Sequence, residues 1–424
     1  MVFSQLSGVD LSEHLFRREA GRLAAALTRI FGVHNLALAE DVVQDAFCRA
    51  LEVWKVRGVP ENPSGWLMAV ARNRALDIIR RERTARTFAP ELARLLESEW
   101  TLAPAVDEAF GLSTIRDEQL RMMFSCCHPR LPGETQVALV LNILCGFGAG
   151  EIANAFLAGR AAVEKRLSRG KRILASTRRL FDLSNAEFGS RLSTVHRALY
   201  LLFNEGYHSV SAEAAVRVDL CNEALRLTLL LLEAPDARQP ETYALGALMC
   251  LQAARLPARL DAAGDLNSLL DQDRRRWDAQ LIADGLGLLD RSACGATVST
   301  YHLEAAIAAA HVTAPDVDQT DWGAIVLLYD RLMMVAGSPV VALNRAIAIG
   351  QRDGPERGLE ELSAIVDSAR LARYPFYPAA IAEFELRRGR GMEASQQFAA
   401  AAALARNPAE QRFLERRSRE CGPR

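Results

Sequence analysis

The chain has 424 residues, half of them hydrophobic and about a quarter charged, with a formal net charge of −1. That length exceeds one typical core, so two or three domains are expected. The near-neutral balance excludes a uniformly basic nucleic-acid coat, so any such contact must come from local basic patches.

Helical periodicity dominates from the start, and no convincing alternating strand occurs, so the expected fold class is all-α. Residues 10–32 read as a first helix with Leu15, Leu23, Leu27 and Ile30 near one face. Residues 37–56 read as a second. Val43, Phe47, Ala50, Leu51 and Trp54 form its apolar stripe, and Glu40, Asp41, Asp45 and Glu52 give it an acidic side. The loop VRGVPENPS follows, and Asn62 or Ser64 is placed to cap a third helix, GWLMAVARNRALDIIRRERTAR. Six arginines between 72 and 86 face only Asp77 and Glu82, which makes a basic patch. Consecutive arginines such as Arg80 and Arg81 rarely all pack inward. Residues 87–112 read as an acidic linker of low periodicity.

Residues 113–180 form a further helical unit that ends in AGEIANAFLAGRAAVEKRLSRGKR, residues 149–172. This stretch has the pattern of a helix-turn-helix. Ile152, Ala155 and Phe156 supply the first apolar face. Gly159 is expected at a turn where a Cβ is costly. Val163 and Leu167 lie four residues apart on the second helix, with Lys165, Ser168, Arg169, Lys171 and Arg172 on its other face. Between Arg160 and Arg179 there are eight Lys or Arg and one acid, Glu164. An inward apolar stripe with an outward basic one is what a groove-reading helix needs, because one face packs while the other meets phosphates and base edges.

From about residue 185 the basic patches stop, which marks the main expected domain boundary. His196, His208, His302 and His311 are dispersed and read as structural. Asn204-Glu205-Gly206-Tyr207 and Asp271-Gln272-Asp273 are polar clusters in an apolar region. They either line a groove or small-molecule pocket, or cap helices and pair with Arg274, Arg275 and Arg276. A weak repeat closes the chain. Gly358, Leu362 and Ile365 stand 36 residues before Ala394, Phe398 and Ala401, as Pro339 stands before Pro375. That spacing and size pattern suits stacked helical hairpins of the tetratricopeptide (TPR) kind.

Eight cysteines occur without a CxxC pair, mostly in apolar contexts, so reduced, buried thiols are expected. Cys126-Cys127-His128 is not expected to hold zinc, because sequence neighbours converge poorly on one tetrahedral ion. No metal and no cofactor are expected. The chain has no P-loop, GxGxxG after a strand, HExxH or GxSxG, so it is not expected to be an enzyme. No apolar run reaches the roughly 18 residues of a membrane span. The opening residues also lack a signal-peptide pattern. A cytoplasmic protein without a membrane partner is therefore expected.

Three of these segments together resemble the bacterial RNA polymerase sigma factors of the extracytoplasmic-function group. They are AEDVVQDAFCRALEVW (39–54), PSGWLMAVARNRALDIIRR (63–81) and EIANAFLAGRAAVEKRLSRGKR (151–172), in the family's order. The resemblance implies a sigma domain two over 10–86, a linker over 87–112 and a sigma domain four over 113–180. It implies that Asp41, Gln44, Asp45 and Glu52 meet RNA polymerase core. Trp66, Asn73, Arg74, Arg80 and Arg81 are implied at the downstream promoter element. Arg160, Glu164, Lys165, Ser168, Arg169, Lys171 and Arg172 are implied at the upstream one. Residues 185–424 resemble the subgroup with a C-terminal TPR-like extension, through LYLLFNEGYHS, RVDLCNEALRL, LLDQDRRRWDAQLIADG, TDWGAIVLLYDRL and SPVVALNRAIAI. The partners implied are polymerase core and promoter DNA, with a protein partner or the chain's own sigma domains on the TPR-like face. Two departures stand out. Gly170 occupies a position where the family more often has alanine, and is expected to let the recognition helix fray. Glu164 places a carboxylate where a base reader is expected. Competing readings are a helix-turn-helix regulator with a TPR sensor that never binds polymerase, and an enzyme with its site within 190–310.

Overall fold

The computed structural model describes residues 8–32, 35–81, 112–155, 158–176, 185–208, 216–261, 264–295 and 297–421. Side chains are described for the same residues apart from 8–18, 80–81, 112–117, 154–155 and 185–190. The described residues are helical with no named strand, and a lone bridge joins Leu260 to Leu266. The expected linker lies outside the described residues up to Leu112, as do the side chains of Leu15, Arg80, Arg81, Ala155 and Phe156.

Two compact units divide at Leu201 and Leu202. The first opens with α1 (Gly8–Phe31), α2 (Leu36–Arg57) and α3 (Pro63–Arg81), which pack against one another. Leu23, Leu27 and Ile30 of α1 and Ala50 of α2 are fully buried, and Val43 and Trp54 of α2 are nearly so. Leu51, expected on the α2 stripe, is 55% exposed. It follows Ala50 by one residue, which turns it about 100° away from the buried line. Asn62 is the residue that caps α3. Its Oδ1 accepts from the Gly65 N–H at 2.9 Å, with Pro63 at the first helical position. Ser64 instead donates to the buried Glu19 at 3.0 Å, and Glu19 also pairs with Arg22.

The unit continues with α4 (Leu112–Cys126), α5 (Gly133–Leu139) running into a π-helical turn at Val140–Leu144, α6 (Ala149–Ala155) and α7 (Arg160–Ala175). Helix α1 packs on α4 and on the π turn. At Gly21 the approach is backbone to backbone, since a Cβ there would sit 2.2 Å from the Leu144 carbonyl oxygen. Glu118 of α4 is buried and takes both Arg29 of α1 and Arg121 at 3.2 Å. These contacts join the α1–α3 and α4–α7 groups into one unit.

Helix α8 (Asn185–Tyr207) contains the division between the units, which falls between Leu201 and Leu202. The second unit continues with α9 (Val218–Glu233), α10 (Pro240–Ala253), α11 (Leu256–Arg259), α12 (Ala279–Ser292) and α13 (Thr300–Thr313). Helix α10 is buried almost all round and packs against α9, α12 and α13. Its sequence, PETYALGALMCLQA, is apolar on every side, as a core helix must be. Then come α14 (Trp322–Ala336), α15 (Pro339–Asp353), α16 (Pro355–Ser363), α17 (Phe376–Arg387), α18 (Gly391–Ala403) and α19 (Pro408–Glu420), each packed on the next. Gly358, Leu362 and Ile365 are buried, and so are Ala394, Phe398 and Ala401 at the same spacing. Helices α15 and α16 cross at Gly350 and Gly358, over which the Phe384 ring sits; a Cβ on either would fall within 2.5 Å of that ring. Ser338 and Asn407 cap α15 and α19 through their side chains, each followed by proline.

Six of the eight cysteines are buried, while Cys48 and Cys294 are exposed, against the expectation for all of them. Cys48 lies on the solvent side of α2 and Cys294 just past the end of α12. Burial pushes the Cys127 thiol up to about 12. Among the described residues no cluster of His, Cys, Asp or Glu suits a metal ion. No helix among them is long and apolar enough to cross a membrane.

Candidate nucleic-acid interface

Helix α7 buries Val163, Leu167, Gly170 and Leu174, a line that recurs every three or four residues. Opposite this line, Arg160, Glu164, Lys165, Ser168, Arg169 and Arg172 are exposed. Arg160 and Glu164 pair with each other at 2.8 Å along the helix. Glu164 is thereby partly neutralised and is not a lone carboxylate on the outward face. Lys165, Arg169 and Arg172 have no ion pair or hydrogen bond to their side chains among the described residues. Three free cations on one helix face are chemically suited to phosphate oxygens and to guanine edges.

Lys171 is not on that face. It donates to Glu40 of α2 at 2.6 Å, with both side chains less than a third exposed. Position 171 follows Leu167 by four residues and precedes Leu174 by three, so helical spacing puts it on the flank of the buried line. Gly170 differs from its expected role as well. It is buried, and an added Cβ would lie 2.9 Å from Thr135 and Leu139 of α5. The glycine is a packing position that lets α7 approach α5, not a point of fraying. Gly159 sits at φ −75 and ψ 137, with nothing within 4 Å of an added Cβ. A side chain there is therefore not costly, contrary to the expectation for that turn.

On α2, Asp41, Gln44, Asp45, Cys48 and Glu52 are exposed; Asp41, Asp45, Cys48 and Glu52 follow one another at three- and four-residue steps, with Gln44 beside Asp45. They form a single outward stripe. Asp41 has no ion pair among the described residues, while Glu52 pairs with Arg49 at 3.2 Å. Asp45 takes Arg74 of α3 at 3.0 Å. This pair joins a residue expected at the polymerase surface to one expected at DNA, so the two candidate surfaces adjoin. Asn73 is exposed beside Arg74. Trp66 is half-buried, with its ring edge-on to Trp54 at 5.4 Å. It packs on α2 and keeps part of its surface outward. The side chains of Arg80 and Arg81 lie outside the described residues.

Sequence reasoning did not foresee the Glu40–Lys171 pair, although the helical spacing of position 171 carried the signal. It also did not foresee Arg255 or Arg259, which have no local motif.

The comparisons with known proteins bear on both units. Residues 15–85 match sigma-70 region 2, and residues 191–293 match a family of unknown function, DUF6596. No solved structure matches the chain. An uncharacterized protein of Rhizobium meliloti is 40% identical over 392 residues, spanning 92% of this chain and 90% of that protein. Region 2 of sigma-70 factors binds RNA polymerase core and melts promoter DNA. The chain belongs to the same family as that Rhizobium meliloti protein, and the region 2 match over its N-terminal helices supports a sigma-70 family factor with RNA polymerase as its partner.

Proposed function

We propose that this protein is an RNA polymerase sigma factor of the extracytoplasmic-function type with a TPR-like C-terminal extension. The outward stripe of α2, led by Asp41 and Gln44, docks on polymerase core. Helix α3 handles the downstream promoter element with Trp66, Asn73 and Arg74, together with Arg80 and Arg81. Helices α6 and α7 act as a helix-turn-helix, and the free cations Lys165, Arg169 and Arg172 hold the upstream element. The protein works by binding alone, with no covalent step and no cofactor, in the cytoplasm. Residues 202–424 regulate this through a protein partner or the sigma helices themselves.

The observation that carries this reading is the pairing of a sigma-70 region 2 over 15–85 with a free cationic face on α7 in the same chain. Run-off transcription with purified core polymerase tests it. Promoter-specific transcripts that need this protein are expected. Promoter binding without any gain of transcripts would instead support a regulator that never engages polymerase.

A further inference from the structure

The second unit gathers guanidinium groups that form no ion pair among the described residues; Asp316 acts on Arg274 from beyond ion-pair distance. Arg255 follows α10, Arg259 ends α11, and Arg274 lies in the turn before α12. Arg255 and Arg274 both stand against the Trp277 ring, at 5.8 and 4.8 Å from its centre. Arg259 stacks over Tyr207 at 4.1 Å. Arg255 is the shared neighbour, close enough to Arg259 and to Arg274 for like-charge repulsion with each.

None of the three has an ion pair among the described residues, and Arg255 has no hydrogen bond to its guanidinium at all. The Nε atoms of all three are shielded from solvent without a hydrogen-bond partner. The Tyr207 hydroxyl and the Trp277 indole nitrogen are in the same condition. Arg274 is held in place by donating to the carbonyl oxygens of His311 at 2.8 Å and of Ala314. Arg259 meets His208 Nδ1 at 3.2 Å, a neutral partner. The run Arg274-Arg275-Arg276 splits here. Asp273 holds Arg275 outward at 3.0 Å, and Arg276 is exposed, while Arg274 turns inward.

Shielded donors without acceptors are costly, and like charges set together with no ion pair to any of them are costlier still. Such an arrangement is retained where an anion completes it. Burial and the arginines Arg255 and Arg274 also hold His311 down to about 3, so this neighbour adds no further positive charge and leaves the three guanidiniums as the anion's partners. We propose that Arg255, Arg259 and Arg274 form a binding site for a small anion, whose phosphate or carboxylate oxygens accept from the three guanidiniums. The site gives the C-terminal unit a ligand independently of how α7 meets DNA.

The test uses the full-length protein at fixed ionic strength, with inorganic phosphate, succinate and sodium chloride as probes. Calorimetric titration and the thermal unfolding midpoint are read for each. Saturable binding and a raised midpoint are expected with phosphate or with succinate, but not with chloride. A response to phosphate alone assigns the phosphate source, and a response to succinate alone assigns the carboxylate source. Arg255→Met should weaken that binding at least tenfold. Hydrogen exchange on the unmutated protein gives a second reading that needs no variant, with new protection expected over residues 255–277 on adding the anion. Three results would overturn the site: no saturable response beyond chloride, unaltered exchange over 255–277, or undiminished binding by a folded Arg255→Met. If that variant does not fold, the exchange result decides.

Discussion

Lys171 of α7 is tied to Glu40 of α2 across 2.6 Å, and both side chains keep some contact with solvent. A pair of that exposure is worth about 0–1 kcal/mol, so it holds α7 against α2 weakly and opens readily. While it is closed, the Lys171 ammonium is spent on protein and not on DNA. Glu40→Gln should release it. DNA affinity at low salt is then expected to rise two- to fivefold, and the salt dependence to steepen by up to about 0.9 log units, the contribution of one further phosphate contact. Fluorescence anisotropy over a salt series measures both. An unchanged slope would mean that Lys171 stays off the DNA with or without Glu40.

Arg169 is exposed on the outward face of α7 and unpaired among the described residues. Losing a base-reading arginine costs about 1–3 kcal/mol and relaxes specificity at one position. Arg169→Ala should therefore weaken a cognate promoter more than a scrambled one. Equal weakening on both would make Arg169 a phosphate contact. Arg160→Ala, which breaks only the exposed pair with Glu164, should have the smaller effect on the cognate site.

Gly170→Ala adds helix propensity worth about 0.5–1 kcal/mol. It also forces a Cβ to within 2.9 Å of Thr135 and Leu139. Overpacking of this kind costs about 1–3 kcal/mol. The strain outweighs the propensity, so a net loss of about 1 kcal/mol is expected, read as a lower thermal or denaturant midpoint. A stabilised variant would show that α5 yields freely and that Gly170 is only a weak helix residue.

Burial lowers His196 to about 4, and burial with Arg255 and Arg274 lowers His311 to about 3. Both sit below the ordinary histidine value of about 6.5. The unfolded chain then binds more protons than the folded one once the pH falls below that value. These groups contribute stability that is fully present above pH 6.5 and is lost as the pH falls toward 4. Denaturant midpoints of the full chain should be flat from pH 8 to 7 and decline between 6.5 and 4. His311→Gln should make that decline shallower. An equal decline in the variant would remove His311 from the effect.

Much of this was legible from residue spacing. The lines Leu23/Leu27/Ile30 and Val163/Leu167 are buried as a 3.6-residue period requires, and Asn62 caps α3 where its side chain and the following proline place it. Leu362 and Phe398, 36 residues apart, are both buried, on helices α16 and α18 that each pack against α17. Tertiary partners were not legible. The role of Gly170 is set by Thr135 and Leu139 on another helix, and nothing in the local sequence around 170 names them. Lys171 shows the opposite case, because its position beside the Leu167–Leu174 line was readable and was outweighed by the charge of its neighbours. The arginines near Trp277 come from separate elements and share no motif, so only the fold brings them together.

The central claim is that the α2 stripe docks on polymerase while α7 reads DNA. Run-off transcription by core polymerase, with wild-type protein and with Asp41→Arg at matched concentration, tests it most directly. Asp41 is exposed and has no ion pair among the described residues, so its reversal should leave folding and isolated DNA binding intact. Promoter-specific transcripts are expected from the wild type and a loss of tenfold or more from Asp41→Arg, with core binding weakened in parallel. Absence of transcripts with the wild type, alongside tight promoter binding, would contradict the claim.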